Sequence, residues 1–302
     1  MIGRIRVGFH TNAFVWAGIC DIEKIAAFAA DAGFDFLEVG PGIPLEAKAF
    51  ERARRHVEFE AFIYCRNFID DNVSAAERER AELYRRMAFA GEAGAKRFIC
   101  STGISRTRSL PANGGCDPLQ SLAPAAAFLR EAIGQAQKNG LSLCLENCPM
   151  YRNIATSPLM WQAVFDAIGD LPLGLCYDPS HFVWQMIDVY RPFVRFLDRI
   201  EHIHMKDTAI DRNKLEDVGI LHNTGAERGL EANQWWRHTV IGEGEIDWRR
   251  FLEIALERDE VPALSFEMED YRYECDPIRV QKGLELQRAR LAILEKEFIA
   301  KA

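Results

Sequence analysis

Eight short β-rich runs alternate one for one with eight amphipathic helical runs along the 302-residue chain, and a strict βα repeat of that length has few ways to fold. The predicted strands are Ile5–Phe9, Phe36–Val39, Val57–Ile63, Arg97–Ser101, Ser142–Glu146, Leu173–Tyr177, Ile200–Met205 and Ala263–Glu267. The predicted helices are Asp21–Asp31, Leu45–Arg55, Ser74–Ala93, Pro118–Asn139, Ser157–Ile168, Tyr190–Leu197, Asp247–Arg258 and Pro277–Phe298. Asp21, Ser74, Ser157 and Asp247 stand where N-caps belong, and Gly33, Gly94, Gly140 and Gly169 where helices end. Eight βα units predict a parallel sheet closed on itself, a single (β/α)8 TIM barrel over residues 1–302, with no linker rich in Pro, Gly or Ser to divide it. An open doubly wound sheet is the alternative, but no Gly-x-Gly-x-x-Gly follows the first strand.

In such a barrel the functional groups sit at the C-terminal ends of the strands. The fifth strand ends Leu143-Cys144-Leu145-Glu146-Asn147, and the sixth Leu175-Cys176-Tyr177-Asp178-Pro179-Ser180-His181. The seventh reads Ile200-Glu201-His202-Ile203-His204-Met205-Lys206-Asp207, and the eighth Leu264-Ser265-Phe266-Glu267-Met268-Glu269. Side chains alternate across a strand, so a shared site requires one parity to carry Glu146, Asp178, His204 and Glu267 inside together. That parity takes Cys144, Cys176, His202 and Ser265 inward as well, and leaves Leu143, Leu145, Leu175, Ile203, Leu264 and Phe266 facing the helices. Three carboxylates and an imidazole favour Mn²⁺ or Mg²⁺, with Co²⁺ or Zn²⁺ as alternatives, over the thiolate sites of structural zinc. The plainer reading, in which each charge caps a helix or pairs with Lys206, suits one strand end better than four adjacent ones.

Charge and cysteine content narrow the partners. Lys and Arg total 37 against 45 Asp and Glu, and a net charge of −8 disfavours binding to a phosphate backbone, so no nucleic-acid partner is expected. Eight cysteines without a Cys-x-x-Cys pair indicate reduced thiols and a cytoplasmic protein. No stretch approaches the roughly 18 apolar residues of a membrane span, and Met1–His10 runs into the first strand without a secretory apolar region.

The phrases Leu-Cys-Leu-Glu146-Asn-Cys-Pro, Tyr-Asp178-Pro-Ser-His181, His202-Ile-His204-Met-Lys-Asp207 and Ser-Phe-Glu267-Met-Glu resemble the xylose-isomerase-like TIM barrels of the sugar phosphate isomerase/epimerase group. That group includes ketose 3-epimerases, inosose-handling enzymes, hydroxypyruvate isomerases and endonuclease IV. The resemblance extends from Gly8-Phe-His-Thr-Asn12 to Glu267. It implies that Glu146, Asp178, His204 and Glu267 hold one divalent cation, Mn²⁺ first among the candidates. It implies further that His181, at the histidine of the family's Asp-x-x-His, contacts substrate or, in the endonucleases, another metal. An arginine shortly after the seventh strand contacts substrate in the epimerases; Arg212 is the candidate here and Lys206 its competitor. The extra histidines of endonuclease IV are not matched: Glu38 and Cys65-Arg66-Asn67 occupy those neighbourhoods, with His56 near. A small carbohydrate substrate and a homo-oligomer are what the resemblance leads one to expect.

The chemistry expected is proton transfer at a carbon beside a carbonyl, with Glu146 and Glu267 as base and acid and the cation stabilising the enediolate charge. His10, Asn12 and Glu38 end strands at the mouth and are candidate substrate contacts. Phe14 and Trp16 form either an apolar wall or ordinary packing, His202 reads as a core histidine, and Cys144, Cys148 and Cys176 as small buried fillers. Two connections are long: 101–116, with Asn113-Gly114-Gly115, and 207–240, with Trp235-Trp236; each reads as a lid, binding loop or interface. Gly242-Glu243-Gly244 is too acidic to cradle a phosphate, so an unphosphorylated substrate is expected. Competing readings are a dehydratase or lyase that loses a group β to the carbonyl, an endonuclease IV-like phosphodiesterase, and a non-catalytic carbohydrate-binding barrel.

Overall fold

A computed structural model describes residues 5–109, 117–149, 153–220 and 234–299. Asn113-Gly114-Gly115 and residues 221–233 of the second long connection lie outside the described residues. In chain order the strands are β1 (Val7–His10), β2 (Phe36–Val39), β3 (Glu58–Tyr64), β4 (Arg97–Cys100), β5 (Ser142–Glu146), β6 (Gly174–Tyr177), β7 (Ile200–Met205), β8 (Asp207–Ile210), β9 (Trp236–Thr239) and β10 (Ala263–Phe266). Eight of them close into a ring in the order β1-β10-β7-β6-β5-β4-β3-β2. Every pair in the ring is parallel, and Phe9 opposite Phe266 completes the closure. The chain is a (β/α)8 TIM barrel, as the alternation predicts.

The buried apolar residues separate as a closed sheet demands. Leu143, Leu145, Leu175, Ile203, Leu264 and Phe266 join the large core between barrel and helices. Cys144 and Cys176 fall in a small second cluster with Ala61, Ile63, Cys65 and Ile99. Phe14 belongs to the large core, 5.7 Å from the Phe9 ring and 5.3 Å from that of Phe28, so it packs and does not wall the mouth. Among the described residues no helix is long and apolar enough to cross a membrane.

Most helix boundaries follow their local chemistry. Asp21, Ser157 and Asp247 each accept backbone N–H bonds from the first turn of the helices Ile22–Asp31, Pro158–Ile168 and Trp248–Ala255. The helix Val73–Glu92 is capped two residues earlier than predicted: Asn72, not Ser74, takes the extended conformation and accepts from the Ala75 N–H at 3.1 Å. Pro118–Ser121 is a separate 3₁₀ turn before the helix Leu122–Lys138, because Pro124 has no N–H to bond back to residue 120. The 207–240 connection contains an antiparallel hairpin, β8 against β9, with Ala209 opposite Arg237. More than two dozen residues separate these strands in sequence, so the short-turn signal of a hairpin is missing. Two short helices, Asn12–Trp16 and Ser180–Trp184, start within two or three residues of the ends of β1 and β6.

Candidate metal centre

Four strand ends converge at the C-terminal mouth. Glu146 is the last residue of β5, Asp178 follows β6, His204 lies in β7 and Glu267 follows β10. One ligating atom from each lies within 4.8 Å of those of the other three, and all four residues are buried. The centre of the set is His204 Nδ1, which is 3.0 Å from Glu146 Oε1, 3.3 Å from Glu267 Oε2 and 4.0 Å from Asp178 Oδ2.

Each carboxylate is oriented by its neighbours. The Asn147 amide donates to the Asp178 carbonyl at 2.8 Å, and its oxygen accepts from the Asp178 N–H at 2.9 Å. Asp178 Oδ1 accepts from the Ser180 N–H at 2.9 Å and the Ser180 hydroxyl at 2.6 Å. Oδ2 is left facing the centre without a hydrogen bond, 3.0 Å from Lys206 Nζ and 3.2 Å from His181 Nε2. Glu146 Oε2 accepts from the Cys65 thiol at 3.3 Å. Glu267 is 2.6 Å from Lys206 Nζ and 3.4 Å from His10 Nδ1.

Charge in this buried volume is strongly coupled. Burial pushes the Glu267 carboxyl up, yet Lys206 and His204 hold it well below the usual carboxylate range. Burial opposes the Lys206 charge, but Asp178, Glu267 and Glu269 keep its ammonium well above the ordinary lysine value. His204 is likewise raised, against burial, by Cys176 and by the carboxylates of Glu38, Glu267 and Glu146. Burial lowers His181 despite the nearby Asp178, which favours a neutral imidazole. Glu269, 3.2 Å from Lys206, is pushed up to about 7 by burial and by the charge of Glu267.

A cavity of about 80 Å³ opens over this set, lined by His10, Asn12, Arg66, Cys148, His181 and Glu269 among others. Asn12 and His10 reach it because residue 40 is glycine; a Cβ there would collide with Asn12 Oδ1 and stand 2.7 Å from His10 Nε2. A larger cavity, about 470 Å³, lies beside the hairpin against Ile210, Lys214, Trp235 and Tyr271, and none of the four converging residues lines it.

Of the residues singled out from sequence, Glu146, Asp178, His204, Glu267, His181, Lys206, His10 and Asn12 are brought together. Glu38 lies one layer deeper, fully buried, with its oxygens on His202 and His204. Arg212 is not brought in: it opens the helix Arg212–Val218, is 68% exposed at its side chain and pairs with Glu245 at 2.7 Å. Lys206 pairs with Asp178, Glu267 and Glu269, while Asp207 turns away to accept backbone N–H groups. Sequence reasoning gave no site role to Glu269, Cys65 or His238. Glu269 shares the parity of Glu267, which is signal enough to find it. His238 has no such signal, because the hairpin delivers it; its ring lies 5.3 Å from that of His181. The Trp pair packs: Trp235 is buried, and Trp236 stacks on Trp184 at 4.8 Å.

Three carboxylates and one imidazole, buried and convergent, with Asp178 Oδ2 facing the centre, fit a divalent cation that takes oxygen and nitrogen ligands.

A family model described as a xylose isomerase-like TIM barrel matches residues 26–293. The uncharacterized protein YfiH of Bacillus subtilis (strain 168) is 25% identical, over 84% of this chain and 90% of its own. A solved structure of L-ribulose 3-epimerase superposes with a TM-score of 0.69 at 17% identity, over 99% of each chain. The probable 3-DHS dehydratase AsbF of Bacillus anthracis, involved in petrobactin synthesis, superposes with a TM-score of 0.69 at 12% identity, over 95% of this chain and 99% of that one. At these identities the two structures show a shared fold.

Proposed function

Since the chain belongs to the xylose isomerase-like TIM barrel family, we propose that it is a divalent-cation-dependent isomerase or epimerase of a keto sugar, sugar acid or cyclitol. The observation that carries this reading is the convergence of Glu146, Asp178, His204 and Glu267 on one buried point at the mouth. The epimerase among the similar structures supports it. The cation, Mn²⁺ by preference for this ligand set, supplies a Lewis acid for a carbonyl oxygen and its neighbouring hydroxyl.

The chain's own residues move the proton. Glu146 Oε1 and Glu267 Oε2 lie 3.0 and 3.3 Å from His204 Nδ1, so a substrate carbon held over that point is within reach of both. One carboxylate takes the proton from the carbon beside the carbonyl and becomes the carboxylic acid. The other, in its acid form, returns a proton to the opposite face of that carbon, which inverts it, or to the former carbonyl carbon while the hydroxyl proton passes to the former carbonyl oxygen, which exchanges ketone and aldehyde. Lys206 offers its charge to substrate oxygens, and neutral His181 offers one N–H donor. Substrate would enter through the cavity of about 80 Å³ above this set, where His10, Asn12, Arg66 and His181 line the wall. The free cysteines among the described residues support a cytoplasmic setting.

The test is product analysis by NMR after incubation with Mn²⁺ and a panel of ketoses, 3-keto sugars and inososes. A new epimer or aldose–ketose pair that disappears on chelation is the expected result. Loss of water from the substrate would make the protein a dehydratase instead, and turnover unaffected by chelation would overturn cation dependence.

A further inference from the structure

We propose that Glu38 is a positioning residue that dictates which nitrogen of His204 faces the cation, and that it does not touch substrate. The inference rests on the cation site proposed above.

Glu38 lies on β2 and His204 on β7, three places apart in the ring, so the contact crosses the barrel interior. The β2–β3 register shifts between Leu37 and Glu38, the kind of irregularity that re-aims a side chain. Glu38 is completely buried, with its two oxygens 3.0 and 3.1 Å from His204 Nε2. His202 Nε2 meets Glu38 Oε2 at 2.8 Å. The rings of His202 and His204 stand edge to face, 5.6 Å apart.

A carboxylate can only accept hydrogen bonds, so each imidazole that faces Glu38 must present an N–H at Nε2. Without a cation Nδ1 of His204 also meets a carboxylate, Glu146 Oε1 at 3.0 Å, so both ring nitrogens present an N–H. A cation among Glu146, Asp178 and Glu267 would displace the Nδ1 proton, because Glu38 retains the one on Nε2, and Nδ1 would then carry the lone pair. The opposite tautomer would set a lone pair against the Glu38 carboxylate and an N–H where a cation belongs. Glu38 therefore orients the ring, selects its tautomer and makes Nδ1 a stronger donor. His202, one layer deeper, braces the same carboxylate from the other side.

The experiment compares Mn²⁺ binding to the chelator-stripped full chain, by calorimetry and by the EPR signal of free Mn²⁺, for wild type, Glu38→Gln and Glu38→Asp. Gln presents an NH₂ to one of the two imidazoles, so its Mn²⁺ Kd is expected to weaken about ten- to a hundred-fold. Asp keeps the carboxylate and recovers part of the loss. A wild-type Kd in Glu38→Gln overturns the proposal, whereas absence of saturable binding to wild type overturns the cation site itself. A second measurement needs no variant: ¹⁵N–¹H NMR of Zn²⁺-loaded wild type is expected to show His204 protonated at Nε2 and bare at Nδ1. A proton on Nδ1 overturns the proposal even if the Gln variant fails to fold.

Discussion

Glu267 carries three relationships at once: Lys206 holds it charged, His10 contacts its far oxygen, and His204 Nδ1 lies 3.3 Å from its near one. Replacing it with Gln keeps the shape and removes the charge. Turnover should then fall by at least about a hundredfold, the low end of general acid–base catalysis, and Mn²⁺ binding should weaken, as steady-state kinetics and calorimetry will show. Normal turnover in Glu267→Gln would rule out a two-carboxylate mechanism. The four converging residues were legible in sequence because period-two alternation puts them on one side of four consecutive barrel strands. Glu38 was legible only as a polar residue at a strand end. That its partners are His202 and His204, across the ring, depends on barrel closure and on a register irregularity that no local pattern encodes.

At the scale of elements, the hairpin of β8 and β9 is tied to the barrel through Asp207. Its Oδ1 accepts from the N–H groups of Thr208 at 2.8 Å and Ile246 at 3.2 Å. Its Oδ2 accepts from those of Gly242 at 3.0 Å and Gly244 at 3.2 Å, and from the Trp248 indole at 2.9 Å. Asp207→Asn sets an NH₂ against a group of donors, and leaving buried donors unpaired costs about 3 kcal/mol. Chemical denaturation should record that loss, and hydrogen exchange should show faster opening of β8 and β9. Unchanged exchange there would mean that Asp207 does not hold the hairpin. Strands and helices with caps in the chain were readable to within three residues, the largest miss being the end of Asp247–Arg258, which stops at Ala255. The hairpin was not, since its strands lie far apart in sequence and what holds them is distant in the chain: the Thr208 hydroxyl donates to the Ser180 carbonyl at 2.9 Å, and Trp236 stacks on Trp184.

Over the whole molecule, the candidate site lies at one end of the barrel and a second ion-pair cluster at the other. On the floor, buried Glu60 pairs with Arg6 and Arg97 and lies 3.4 Å from Lys96, while Arg97 reaches Glu201 at 3.3 Å. Burial pushes the Glu60 carboxyl up, but Arg97, Arg6 and Lys96 hold it below the usual carboxylate range. A carboxyl depressed in the folded state stabilises fully above its unfolded pKa, and that stabilisation fades as pH falls through the lower folded value. Glu60→Gln, which leaves Arg6 only Glu58 and Arg97 only Glu201, should therefore cost about 1–2 kcal/mol near neutral pH, with the gap to wild type narrowing in denaturation curves below pH 4.5, the ordinary value for this group. A gap independent of pH would show that shape, not charge, is what Glu60 contributes.

At the opposite end, the proposed chemistry is proton transfer beside a carbonyl. It is tested most directly by proton NMR in D₂O, with the Mg²⁺-loaded protein and the panel of ketoses, 3-keto sugars and inososes. Deuterium is expected at a carbon adjacent to the carbonyl of at least one of them, abolished by chelation and by Glu267→Gln. No exchange in any member of the panel, with the cation shown to be bound, would contradict it.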